Sequence, residues 1–458
     1  MKFNSLIVLI GLSFLYSCAS IKPDAPSVSK DLIAPPPSVV SNLNIPVEVD
    51  LNPYFLLAEK AVPAQYEGSE NPCEGLRYYY QFIRSPFNIS GYKDNINLSF
   101  EGKYKIKGSY CAKCLKENCL LPSPIFSCGF DESLRRIEIG YSSKIKLLPN
   151  YHLSTITTLV KANPIDPCKV GFINFDITDK LLKEVKVQLD ILGKNVDSQV
   201  QAYNLKPYVI GFWNKLFEVQ KVDEYGYLNL NPSAVSVSNI NMTGSKLKLS
   251  LGLTCKPVFS VGYLPPQPTA LPDLSYKIQP NGFSVYTDLI ANYTDLNLLL
   301  NKKLSGKEFD LKGKKIIVNS VEISGIGSSK ISIKLDFKGS KKGVVYLVGT
   351  PRFDTVKNTI AIPDLSFELK SRNILLKMAN WLLNDKLTEK IKSAAVFDMN
   401  SIMGQAKTSI QNQLNRKLTD NIQMYGTVDS MSLKNIITNS ESLFLRVLSI
   451  GEIGVKVN

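Results

Sequence analysis

The longest regular pattern in the chain lies near its end. Between residues 373 and 422, apolar side chains recur at Leu375, Met378, Leu382, Leu387, Ile391, Ile402, Ala406, Ile410, Leu414, Leu418 and Ile422. Steps of mostly three to five residues predict a long helix with one apolar face. Gly404 and Phe397-Asp398-Met399-Asn400 are the expected places for a kink or break, because glycine weakens a helix interior. A second stripe carries Leu181, Val185, Leu189, Leu192, Val196 and Val200. Asp176 or Thr178 would cap it, Pro207 would kink or end it, and a shorter helical piece around Phe212, Trp213, Leu216 and Val219 would follow. Neither stripe can bury itself, so each needs a sheet to lie on.

Alternating, strand-like stretches fill most of the remainder, among them 45–51, 97–100, 103–107, 136–139, 143–148, 246–253 and 283–289. Short helices are expected at 54–62, stopped by Pro63, and at 295–304. The Pro-rich run 264–273 reads as an interior linker. On each side of it the order is the same: strand, short helix, several strands, long helix, closing strands. That order predicts two copies of one α+β module, at 45–263 and 274–458. A chain of 458 residues is also too long for one hydrophobic core.

The first residues carry one lysine, then an apolar run from Leu6 to Leu15, too short for an ordinary span. Leu15-Tyr16-Ser17-Cys18 resembles the lipobox of bacterial lipoproteins. The resemblance implies a signal peptide at 1–17 and acylation of Cys18, with chains that hold the protein on a bilayer. Residues 18–44, rich in Pro and Ser, read as an extended tether. Ala19 after the cysteine, with no acidic run following, implies the outer membrane and a body facing the periplasm.

The formal charge is +14. In an exported protein this favours anionic lipid headgroups or lipopolysaccharide over nucleic acid. The lysines are scattered, which is the pattern of a solvated surface, and only Lys312-Gly313-Lys314-Lys315 and Lys341-Lys342 stand out. Seven cysteines remain besides Cys18: Cys73, Cys111, Cys114, Cys119, Cys128, Cys168 and Cys255. An oxidising compartment favours disulfides, with one thiol left over. Cys111-Ala-Lys-Cys114 with Cys119 and Cys128 leaves a metal knuckle or a redox pair open as other readings, although no histidine or second matching pair accompanies it. The single histidine, His152, reads as a surface residue, and there is no HExxH, GxSxG or phosphate-binding glycine loop. The expectation is a protein that is no enzyme and uses no cofactor or metal.

A long amphipathic helix between strands that must curl around it resembles the tubular lipid-binding (TULIP) superfamily, which includes the bactericidal/permeability-increasing and SMP-type modules. The resemblance implies two tandem TULIP-like modules, each a highly curved antiparallel sheet wrapped around a long amphipathic helix. The chain from residue 44 onward also resembles the bacterial family called domain of unknown function 4403. The residues that carry this are 45–51, Ser127-Cys128-Gly129, Phe175-Asp176-Ile177-Thr178, Trp213, Leu228-Asn229-Leu230-Asn231-Pro232, Gly349-Thr350-Pro351-Arg352-Phe353-Asp354 and Asn380-Trp381-Leu382. That family offers no activity to carry over. The fold resemblance implies a lipid or other apolar ligand held between helix and sheet. The candidate groove residues are Leu181, Val185, Leu189, Leu192, Val196, Leu387, Ile391, Ile402, Ile410 and Leu414, and Cys128 with Cys168 is the candidate disulfide. The competing expectation is a non-catalytic envelope scaffold that docks a protein partner.

Overall fold

The computed structural model describes residues 20–29, 36–170, 175–222, 226–277, 280–311, 313–383, 389, 392–393 and 395–457. It is a mixed α+β fold, mostly sheet. Strands of seven or more residues are numbered here. The chain enters through β1 (Ser41–Asp50) and helix α1 (Asn52–Ala61). It then forms β2 (Gly75–Arg84), β3 (Asn95–Cys111), β4 (Arg135–Leu147) and β5 (Leu153–Pro164). These four pair antiparallel in the order β2–β3–β4–β5. Alternation decides their faces. Tyr78, Tyr80 and Phe82 of β2, Phe100, Tyr104 and Ile106 of β3, and Ile137 and Ile139 of β4 share the face that receives helix α2 (Thr178–Gln201). Pro207 sits in the first turn of a new helix, α3 (Lys206–Lys215), where its missing N–H is no loss, and this helix is the short piece expected around Phe212 and Trp213.

The middle of the molecule is built around β1. It pairs antiparallel over its whole length with β6 (Lys246–Cys255), from Ser41 opposite Cys255 to Asp50 opposite Lys246. On its other edge it meets β7 (Gly282–Asn292) at Asn42–Asn44 and, in parallel, the last strand at Val47–Val49. After β7 come α4 (Tyr293–Leu304), β8 (Lys314–Gly327), β9 (Lys330–Gly339) and β10 (Gly343–Gly349). These three strands form an antiparallel sheet, extended at its edges by Glu308–Leu311 and Ser366–Phe367. The largest core cluster joins this sheet to α4 and α5 (Leu369–Met378) through Tyr293, Ile316, Phe337, Val345, Leu347 and Leu375. The chain closes with α6 (Met399–Leu414), β11 (Ile422–Thr438) and β12 (Ser442–Val457). β12 lies between β7 and β11.

The stripe from 373 to 422 is therefore not one helix, and Phe397-Asp398, an expected place for a break, interrupts it. α5 stops before Ala379, a short 3-10 turn covers Asn380–Leu383, and Phe397–Asp398 is a strand paired with Thr359–Ile360. Asp398 accepts from Asn400 N (2.9 Å) and so caps α6. Leu418 and Ile422 lie in strands, because the helix ends at Leu414 and Arg416–Thr419 turns back onto β11. Leu387 and Ile391 lie outside the described residues.

The segment before β1, expected as a free tether, is held to the body. Ile21 is 0 % exposed within the core of the β8–β10 sheet. It forms a parallel bridge with Gly343: Ile21 N donates to Lys342 O (3.1 Å), and Val344 N donates to Ile21 O (2.7 Å). A Cβ on Gly343 would overlap Ile21, so the bare glycine makes room for this backbone. Ser29 N donates to Ile326 O (2.8 Å) at the other end of β8. Arg446 Nη2 then donates to Pro37 O (2.9 Å), while the same guanidinium is paired with Asp288, both side chains being buried. The physical reason is local: β10 has an edge that the short strand Ser366–Phe367 leaves open at Gly343, and an isoleucine fills the apolar gap behind it.

Ile21→Ala should lower the stability of the second half by about 2–5 kcal/mol, the range for removing a buried isoleucine. It should also make the segment 20–40 cleavable by protease. A melting curve and digestion pattern like the wild type would show that the segment is not part of the core.

Candidate ligand-binding face

α2 is fixed at both ends and along one side. At its start, Thr178 Oγ1 accepts from Cys168 N (2.7 Å), and Asp176 Oδ1 accepts from Thr178 N (2.9 Å). Cys168 is bonded to Cys128, and both are fully buried against Ile106 and Leu181. The disulfide thus ties the first turn of α2 to the sheet beneath it. In the middle, Tyr141 of β4 donates its hydroxyl to Leu189 O (3.0 Å). Burial, with Asp190 nearby, pushes this phenol up to about 12. Gly193 is buried and brings the helix close to Thr157 of β5. One turn on, Asp197 accepts from Thr155 Oγ1 (2.8 Å), Thr157 Oγ1 (2.7 Å) and Thr157 N (2.9 Å). Burial works to raise the pKa of this carboxyl, but the hydrogen bonds outweigh it and the net shift is downward.

This fixation divides the stripe. Leu181, Leu182, Val185 and Leu189 pack into the sheet. Leu192 and Val196 remain 55 % and 47 % exposed although they belong to the same apolar face. Beyond them the exposed apolar surface continues. Tyr203 follows α2, and Tyr208 and Phe212 stand out from α3. A hydrogen bond with Tyr208 raises the Tyr203 phenol, and Tyr54 of α1 adds to the effect, so α1, the end of α2 and α3 converge there. α1 itself has no buried residue and exposes Tyr54, Leu56 and Leu57. The sequence carried the signal in Tyr54-Phe55-Leu56-Leu57, four apolar residues in one short helix. That run reads equally as a buried segment, so the two short helices are legible in the sequence but the exposure of their apolar residues is not.

The second half is filled where the first is open. Ile410 and Leu414 pack against Phe283, Val428 and Ile453 of the central sheet, with Leu43 and Ile45 of β1. Gln411 holds the helix down: its Oε1 accepts from Val428 N (2.8 Å), and its Nε2 donates to Gly426 O. Asn415 Nδ2 donates to the same carbonyl (2.8 Å). Ile402 falls within α6.

Two open hollows among the described residues have mixed polar and apolar linings. One of about 340 Å³ lies at the start of α2, lined by Pro164, Ile165, Pro167, Asp176, Thr178 and Asp179. Another of about 270 Å³ is lined in part by Glu101, Glu138 and Lys161.

The cysteines resolve into Cys73–Cys114, Cys111–Cys119 and Cys128–Cys168. The two members of the CxxC are bonded to different partners, so they do not form a redox pair with each other. Cys255 is free and buried, and burial pushes its thiol up to about 12, far from a reactive thiolate. Among the described residues, no group of three or more His, Cys, Asp or Glu side chains is placed to hold a metal ion. His152 faces the end of α2, with its Nδ1 3.2 Å from Gln201 O.

The chain belongs to the family described as domain of unknown function DUF4403, whose pattern matches residues 39–457. The match begins just before β1 and runs through β12, so it takes in both halves and leaves the strap at 20–29 outside. No curated protein matches the chain. Among solved structures it is similar to lipopolysaccharide binding protein, at 12% identity and a TM-score of 0.24, over 92% of this chain and 99% of that one. It is also similar to P47 of Clostridium botulinum E1, at 10% identity and a TM-score of 0.20, over 89% and 98%, and to P47 from Clostridium botulinum A2, at 9% and 0.22, over 89% and 96%. At such TM-scores, what those proteins bind says nothing of this one.

Removing the Cys128–Cys168 bond by a double change to serine should cost roughly 4 kcal/mol from loop closure alone, given its separation of 40 residues. Protection of α2 amides against hydrogen exchange should fall more than that of β11 and β12; equal loss in all three would show no local role. Asp197 gives a pH signature. Its carboxyl pKa is depressed in the fold, so its contribution is complete above the unfolded value near ~3.9 and is lost as pH falls through the folded value. The stability gap between wild type and Asp197→Asn should therefore narrow in acid; a gap constant from pH 7 to 2 would show that the carboxylate's charge is irrelevant.

Proposed function

We propose that this protein is a lipid-anchored lipoprotein of the bacterial envelope that binds a lipid or another apolar ligand without chemistry. It would be attached through Cys18, would use no cofactor, and would face the periplasm from the outer membrane. Its two halves are read as TULIP-like modules. The observation that carries the reading is the divided stripe of α2. One part of the face is sealed into the sheet, while Leu192 and Val196 stay open. The ligand would lie along that open flank and not beneath the helix, because the inner side is filled by Leu181, Val185 and Leu189 with their sheet partners. Covering apolar surface stabilises a complex by about 25 cal/mol per Å², so an acyl chain laid there gains from each methylene it hides. The tyrosines at the far end offer hydroxyls to a polar head. The lack of a nucleophile–base motif in the sequence fits binding without turnover.

A second reading, a scaffold that docks a protein, is favoured by α1, an exposed helix with no buried residue. Native mass spectrometry of the unacylated chain from residue 19, purified from a bacterial periplasm, separates the two. Co-purifying phospholipid or fatty acid should appear, and the double variant Leu192→Glu and Val196→Glu should lose it at least tenfold. Its melting temperature should barely move, since both side chains are exposed. A bare protein mass with no uptake on lipid titration would overturn the ligand reading and leave the scaffold.

A further inference from the structure

We propose that the outer end of the β8–β10 sheet is a membrane-docking face for anionic lipid headgroups, and that the protein stands on the membrane by this end. The inference rests on the reading of Cys18 as the anchor. Three residues after Cys18, Ile21 is locked beside Gly343. Three residues span at most ~11 Å of chain. Acyl chains on Cys18 would therefore hold the bilayer within that reach of the turn between β9 and β10.

That turn is basic. Lys338, Lys341 and Lys342 are exposed there, with Lys22 on the strap beside them. Pairing brings the start of β8 to the same end, since Ile316 lies opposite Gly339 and Ser340 N donates to Lys315 O (2.9 Å). The nearby acids are engaged. Glu308 pairs with Lys315, Asp310 accepts from Gly313 N, Asp336 accepts from Asn319, and Asp24 pairs with Lys370. Among the described residues, Lys22, Lys338, Lys341 and Lys342 have no carboxylate within salt-bridge distance. A lysine group facing a surface at this range lies within about one Debye length of its charges.

The opposite end of β8 fixes what points away. Gly325 lies against Asn439, in the turn between β11 and β12, so that end abuts the central sheet. The strap runs from Gly343 to Ile326 and on to Arg446, along the second half from its outer end to the middle of the molecule. The first half, with the open flank of α2, is thereby carried on the side remote from the anchor.

The unacylated chain from residue 19 should co-sediment with phosphatidylglycerol vesicles at low salt and not with phosphatidylcholine vesicles. Changing Lys338, Lys341 and Lys342 together to Gln should weaken this about a hundredfold. The matched triple Lys103→Gln, Lys105→Gln and Lys107→Gln, on the outer side of β3, should change it less than threefold. No binding by the wild type, or equal loss in the two triples, would overturn the docking face. The anchor is read separately, by fractionating cells that carry Cys18→Ser. Release of that variant into the soluble fraction, together with vesicle binding by the wild-type chain, supports both. Release without vesicle binding leaves an anchor and overturns docking. Retention of Cys18→Ser that ends when the three lysines are also changed overturns the anchor and supports docking.

Discussion

The structure depends on one shared strand. β1 gives one edge wholly to β6 of the first half and the other to β7 and β12 of the second. A strand with both edges paired leaves no free ladder, so the two halves are joined by backbone hydrogen bonds and not by a flexible linker. The buried pair of Arg446 and Asp288 lies beside this junction and adds the carbonyl of Pro37 to the same network. Such a pair is weak evidence of net stability, but losing one partner strands a buried charge at a cost of about 3–5 kcal/mol. Its evident consequence here is register: it fixes where the entering chain meets β7 and β12.

From that junction the two halves treat their helices differently. α2 is held along one side, by a disulfide at its start and an aspartate near its end, and it leaves part of its apolar face in solvent. α6 is laid flat on the central sheet. The side-chain amides of Gln411 and Asn415 meet backbone groups of β11 at Gly426 and Val428, where no neighbouring strand does. Asn297 and Asn301 of α4 do the same for Val321 and Ile323 of β8. Both helices thus satisfy a strand edge that would otherwise be exposed. An edge covered in this way is closed, whereas the flank of α2 at Leu192 and Val196 stays open.

Much of the fold was legible in the sequence where periodicity is set by local geometry. The alternation of Tyr78, Tyr80 and Phe82, the start of α2 near Asp176 and Thr178 and the stop at Pro63 read correctly, because side-chain direction follows backbone period. The candidate face was legible only in part. The stripe Leu181 to Val196 marked α2, but burial of Leu189 and exposure of Leu192 depend on how far the sheet extends beneath the helix. The run from 373 to 422 reads as one long helix with a break at Phe397-Asp398-Met399-Asn400 or Gly404; the structure breaks it at the first, leaves Gly404 inside α6, and ends the helix at Leu414. Phe397-Asp398 becomes a strand because Thr359–Ile360 lies ready to pair with it, and Leu418 and Ile422 fall in paired strands for the same reason.

By itself, then, the sequence determined the elements that carry their own signal: strands from alternation, helices from stripes and caps, and a cysteine count that leaves one thiol over. Tertiary structure decided which cysteines meet, which helix face stays open, and that an isoleucine in a proline-rich leader enters a core more than three hundred residues away, opposite Gly343. Those outcomes rest on contacts between distant segments. No local period encodes them, because the partner that makes each conformation favourable is supplied by another part of the chain.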